Sequence, residues 1–109
     1  MTSPAERPPP PPELTGAQRT RLRGLGQRLA DAAFVGRDGI SPAFVVELER
    51  LLAQRELVKV RFTAGPDRRE RAALCEAAAA AAQALCLGTV GHTALFWRPP
   101  PEGSRLLGP

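Results

Sequence analysis

A chain of 109 residues carrying a formal charge of +4 and a pI near 10.4 has room for one domain and favours a polyanionic partner. One histidine, His92, and two cysteines eleven residues apart, Cys75 and Cys86, cannot assemble a zinc site, so the cysteines read as free thiols in a reducing compartment. With no apolar leader and no apolar run of about 18 residues, the expectation is a soluble, cytoplasmic protein without membrane contact.

Six prolines fall in the first twelve residues, including the run Pro8–Pro12. Such a segment buries too little apolar surface to offset its ordering entropy, so residues 1–13 are expected to form a disordered or extended tail. Residues 99–109, again proline-rich and without periodicity, are expected to form a flexible C-terminal tail. The foldable part is residues 14–98.

Thr15 can cap a first helix reaching about Leu29, with Leu22, Leu25 and Leu29 as its apolar stripe. Ala32 to Val35 reads as a short buried strand. A second helix runs from about Pro42 to Gln54, with Phe44, Val45, Leu48, Leu51 and Leu52 inward. From Glu56 to Phe62 the pattern alternates, placing Val58, Val60 and Phe62 on one face and Leu57, Lys59 and Arg61 on the other, which makes a strand. Gly65-Pro66 breaks the chain, and Asp67 caps a third helix to about Ala84. Its six consecutive alanines, Ala77 to Ala82, offer a smooth surface that can lie close to a sheet. Leu85–Val90 and Thr93–Trp97 close the series as a hairpin around Gly91-His92, a type II′ pattern. The sum is a single small α/β domain, αβαβαββ, with a mixed four-stranded sheet packed with helices.

The segment Phe34-Val35-Gly36-Arg37-Asp38-Gly39-Ile40-Ser41-Pro42 is the most informative. Two glycines can take positive φ and approach a ligand closely. Ser41 is a preferred N-cap and Pro42 suits the first helical position. The unpaired N–H groups of that helix start attract phosphate, and Arg37 is positioned to clamp it. Asp38 would repel phosphate and is expected to cap locally or point away.

Several segments together resemble one family. Leu22-Arg23-Gly24-Leu25, Val35-Gly36-Arg37-Asp38-Gly39-Ile40-Ser41, Glu56-Leu57-Val58-Lys59-Val60 and Gly91-His92-Thr93-Ala94-Leu95-Phe96-Trp97-Arg98-Pro99 occur in the order of the CRM domain (chloroplast RNA splicing and ribosome maturation) of free-standing bacterial YhbY-like proteins. The resemblance implies an RNA-binding module with a fold similar to the C-terminal domain of translation initiation factor three. It also implies an assembly factor that contacts ribosomal RNA in precursors of the large ribosomal subunit. Arg37 stands where the family commonly has lysine, which keeps the charge and adds bidentate geometry. His92 stands where the hairpin turn often carries Lys or Arg.

The candidate RNA-binding residues are Gly36, Arg37, Asp38 and Gly39 at the loop, Arg19, Arg21, Arg23 and Arg28 on the first helix, and Lys59 and Arg61 on the second strand. Arg19 and Arg23 form an i,i+4 like-charge pair, which is easier to understand opposite a polyanion. Arg68, Arg69 and Arg71 sit at the helix end unfavourable to cations, partly offset by Asp67 and Glu70. Phe96 and Trp97 point to opposite faces, so one of them is a candidate for base stacking unless both join the core. No catalytic constellation can be named, so an enzyme is not expected. Neither a cofactor nor a small-molecule substrate is implied, and a monomer is expected. The alternative reading is a protein-interaction adaptor using Pro8–Pro12 as a polyproline ligand.

Overall fold

The computed structural model describes residues 11–65 and 67–108. The proline run before Pro11, and Pro66 of the expected break, lie outside the described residues. α1 spans Gly16–Gly26 behind a reciprocal cap. The Thr15 hydroxyl accepts from the Gln18 N–H at 3.1 Å, and the Gln18 side chain accepts from the Thr15 N–H at 2.8 Å. The helix stops one turn earlier than its leucine spacing suggests. Gly24 and Gly26 are weak helix formers, and a Cβ on Gly26 would sit 2.6 Å from Leu95 Cδ2. The glycine lets α1 lie close to the sheet without displacing the Leu95 side chain. Leu29, expected on the buried stripe, is left half in solvent at 37% exposure.

The remaining elements are β1 (Asp31–Val35), α2 (Pro42–Arg55), β2 (Leu57–Phe62), α3 (Arg68–Ala82), β3 (Leu85–Val90) and β4 (Thr93–Trp97), the order read from the sequence. They build one mixed sheet in the order β1-β2-β4-β3. β1 and β2 pair in parallel, whereas β4 pairs antiparallel with both β2 and β3.

Alternation gives the sheet two different faces. Val35, Val58, Val60, Phe62 and Phe96 lie under α2 and α3, meeting Phe44, Leu48, Leu51 and Leu52 from one helix and Cys75, Ala78, Ala79 and Ala82 from the other. The alanines let α3 approach the strands closely, as their small size suggested. Cys75 and Cys86 are free thiols. The Cys75 thiol hydrogen-bonds Cys86, which draws Cys86 down to about 7 and pushes Cys75 up.

The opposite face holds Leu22 of α1 with Leu57, Leu87, Leu95 and Trp97, joined by Leu14, Leu106 and Leu107. Phe96 and Trp97 are each 1% exposed, one per face, so neither is left for base stacking.

Residues after β4 carry anchors that their proline content does not suggest. Glu56, buried at the end of α2, accepts from Trp97 Nε1 at 2.8 Å, from the Arg105 N–H at 2.8 Å and from the Ser104 hydroxyl. Arg21 Nε donates to the Leu106 carbonyl at 3.1 Å. Arg98 donates to the carbonyls of Ala82, at 2.8 Å, and Glu49, at 3.3 Å, tying the end of β4 to both core helices. Its burial lowers its pKa from the usual guanidinium value.

Candidate nucleic-acid interface

β1 and β2 are parallel neighbours, so the helices that follow them both begin at one end of the sheet. Open α/β sheets bind ligands at that end. The loop after β1 is a tight turn in which the Gly39 N–H donates to the Gly36 carbonyl at 3.1 Å. Arg37 and Asp38 occupy its corners and are exposed. Only Gly39 takes a positive φ, +65°. Gly36, expected to need the same freedom, lies outside the left-handed region, because the turn closes with one inverted residue. The loop rests beside α3, with Leu74 Cδ2 at 4.0 Å from the position of a Cβ on Gly39.

Behind the loop, the Ser41 hydroxyl accepts from the Phe44 N–H at 3.1 Å and Pro42 holds the first helical position. At the start of α3, Asp67 accepts from the Glu70 N–H at 2.8 Å, and Arg68 and Arg69 are exposed in the first turn. The hairpin tip reaches the same end. Gly91 has φ +58° and is followed by His92, whose carbonyl accepts from the Phe62 N–H at 2.8 Å. His92 Nδ1 lies 3.4 Å from Arg71 Nη1.

Two helix N-termini, a glycine turn and a hairpin tip therefore meet at one edge of the molecule. Each helix start carries a partial positive charge. Arg37 makes no hydrogen bond or ion pair among the described residues, and Asp67 is occupied by its cap. The surroundings suit an anion better than a cation. The loop also lines an open groove of about 490 Å³ with Phe34, Ser41, Phe44 and Glu47.

The other sequence candidates are placed elsewhere. None of Arg19, Arg21, Arg23 and Arg28 lines the loop groove. Arg21 is tied to the Leu106 carbonyl, and Arg23 Nε donates to the Leu87 carbonyl at 2.8 Å, on the strand at the far edge of the sheet. Arg23 and Lys59 share a second groove between α1 and the β3–β4 hairpin. Arg28 and Lys59 line a third, with Leu29, Leu57 and Leu106. Arg19 is half-buried on α1. Arg61 Nε donates to Asp31 Oδ2 at 2.6 Å, so part of its charge is offset within the sheet.

One surface residue was missed. Phe34, read as part of a buried strand, is 59% exposed, while Ala33 and Val35 beside it are 6% and 2%. β1 is an edge strand with only its α2 side covered at this point. Period two along Ala33-Phe34-Val35 carries that signal, once the strand is taken as covered on one face only.

The profile of the CRS1/YhbY (CRM) domain family matches residues 14–98. A Haemophilus influenzae protein named as an RNA-binding protein is 30% identical over 89 residues, covering 82% of this chain and 89% of its own length. A Pseudomonas aeruginosa protein named as a probable RNA-binding protein is 29% identical over 94 residues, 86% of this chain and 89% of its own. Among solved structures, a Staphylococcus aureus protein described as a candidate RNA-binding protein superposes with a TM-score of 0.71 at 24% identity. That match covers 79% of this chain and 88% of the other.

Proposed function

Because this chain belongs to the CRS1/YhbY (CRM) domain family, we propose that it binds RNA and serves as an assembly factor on precursors of the large ribosomal subunit. The family is an RNA-binding domain family and not an enzyme family. The observation that carries the reading is the convergence of the Gly36–Gly39 turn with the N-termini of α2 and α3, beside an uncommitted Arg37. Backbone N–H groups and the guanidinium would hold phosphate oxygens there, fixing the orientation of the RNA without reading bases. Folded ribosomal RNA, recognised through backbone shape, is the partner this chemistry suits. The protein would work as a cytoplasmic monomer without a cofactor.

Sedimentation of a lysate on a sucrose gradient tests the proposal. The tagged wild type should co-migrate with large-subunit precursors, and Arg37→Glu should move to the top. If the wild type stays at the top even at low salt, the assembly role falls. For about five neutralised phosphates, log K should decline against log salt with a slope of about −3.5 to −4.5, and a flat response would rule out phosphate clamping.

A further inference from the structure

We propose that Phe34 is a nucleobase-stacking site, so that the protein takes an unpaired nucleotide of its folded RNA partner beside the phosphate-holding loop; this rests on the RNA-binding reading above.

Four residues form one row across the sheet, on the face that α1 and the segment after β4 cover only in part. Phe34 pairs with Arg61, Arg61 with Thr93, and Thr93 with Val90, one from each strand in register. Cross-strand partners point to the same side. Phe34 is 59% and Val90 80% exposed, and the Arg61 side chain is 46% exposed. The covering leucines and Trp97 lie farther along the strands, toward Leu57 and Leu85. Arg23 and Gly26 of α1 and the following Gln27 share a groove with Thr93 and Val90, whereas Phe34 lines no part of it.

An aromatic ring left this open on a strand whose neighbours are buried is unfavourable to the protein alone, since it forgoes burial of a large apolar surface. Its surroundings indicate the occupant. Arg61 lies across from it, with its Nε held by Asp31, and Arg37 stands three residues on, in the tight turn that follows β1. Phe34 and Arg37 also line one groove. A ring and cations at this spacing suit a base on the ring and its phosphates toward the loop. A protein partner fits less well, because Arg61 and Thr93 separate the two apolar members of the row by about 14 Å.

The test uses the full chain and a short unstructured RNA with 2-aminopurine at one position. It compares wild type with Phe34→Ala, Phe34→Leu and Arg37→Glu. The wild type should quench the 2-aminopurine emission. Phe34→Ala should bind about 5- to 150-fold more weakly with the salt slope unchanged, because a stacking contact is lost and no phosphate contact. Phe34→Leu retains apolar bulk and guards against a folding defect; it should lose the quenching as well. Arg37→Glu should instead make the salt slope shallower, by about 0.7–0.9. RNA binding with equal affinity and equal emission in wild type and Phe34→Leu would overturn the stacking site and leave the RNA-binding reading standing. No binding of this RNA or of a folded ribosomal RNA fragment by the wild type at low salt would remove both.

Discussion

Gly36 and Gly39 look equivalent in the sequence, and the turn they bracket makes them unequal. At φ +65°, Gly39 holds a conformation that costs other residues about 1–2 kcal/mol, so Gly39→Ala should lower stability by about 1 kcal/mol. A Cβ on Gly36 would meet only Thr63 Oγ1, at 3.8 Å, so Gly36→Ala should stay within about 0.5 kcal/mol of wild type. Urea denaturation of the two variants decides the matter, and equal losses would contradict this account of the turn. Other residue-scale features were readable because their partners are near in sequence. Thr15, Ser41 and Asp67 cap helices that begin immediately after them. Arg21 and Arg23 were not readable, since the carbonyls they bind belong to Leu106 and Leu87. A charged helix face gives no sign of distant acceptors, and two members of the expected footprint also hold backbone carbonyls far along the chain.

At the scale of elements, the α2–β2 corner holds the segment that follows β4. Glu56 gathers three donors from Trp97, Ser104 and Arg105 in a buried position. Glu56→Ala leaves those donors without their acceptor, so a loss of about 2–3 kcal/mol is expected in denaturant titration. Trypsin should also cut after Arg105 sooner than in wild type. Unchanged cleavage there would mean that the carboxylate is not what anchors the segment. The elements themselves were largely legible. Val58, Val60 and Phe62 recur at every second residue because that side of β2 packs under α2 and α3, and Gly91 punctuates the hairpin because a positive φ is needed there. The end of α1 was not legible, because the neighbour that packs against Gly26 is Leu95, far along the chain in β4. Nor was the placing of β4 between β2 and β3, which no local pattern encodes.

Across the whole molecule, the positive charge is unevenly committed. Arg50 pairs with Glu47 at 2.6 Å and Arg105 with Glu102 at 3.0 Å, both within one turn of chain. Arg37, Arg68 and Arg69 remain exposed at the end where the two parallel strands finish. Replacing Arg68 and Arg69 with glutamate should therefore weaken RNA binding and reduce the steepness of the salt dependence by about 1.4–1.8. The change Arg50→Glu should leave that slope unaltered. Equal effects of the two replacements on the slope would indicate that net charge alone governs binding.

The central place of β4 also bears on how the chain acquires its shape. β2 has β1 on one side and, on the other, a strand that comes some thirty residues later. Until the hairpin inserts, β1 and β2 form a two-stranded ribbon with one open flank, too small to persist in water. Contacts this distant in sequence make the closing step slow relative to helix formation. The glycine turn and both helix starts depend on that same ribbon for their positions. Core and loop edge therefore mature together in one late cooperative event, and a half-assembled chain lacks the finished arrangement of glycine turn and helix starts.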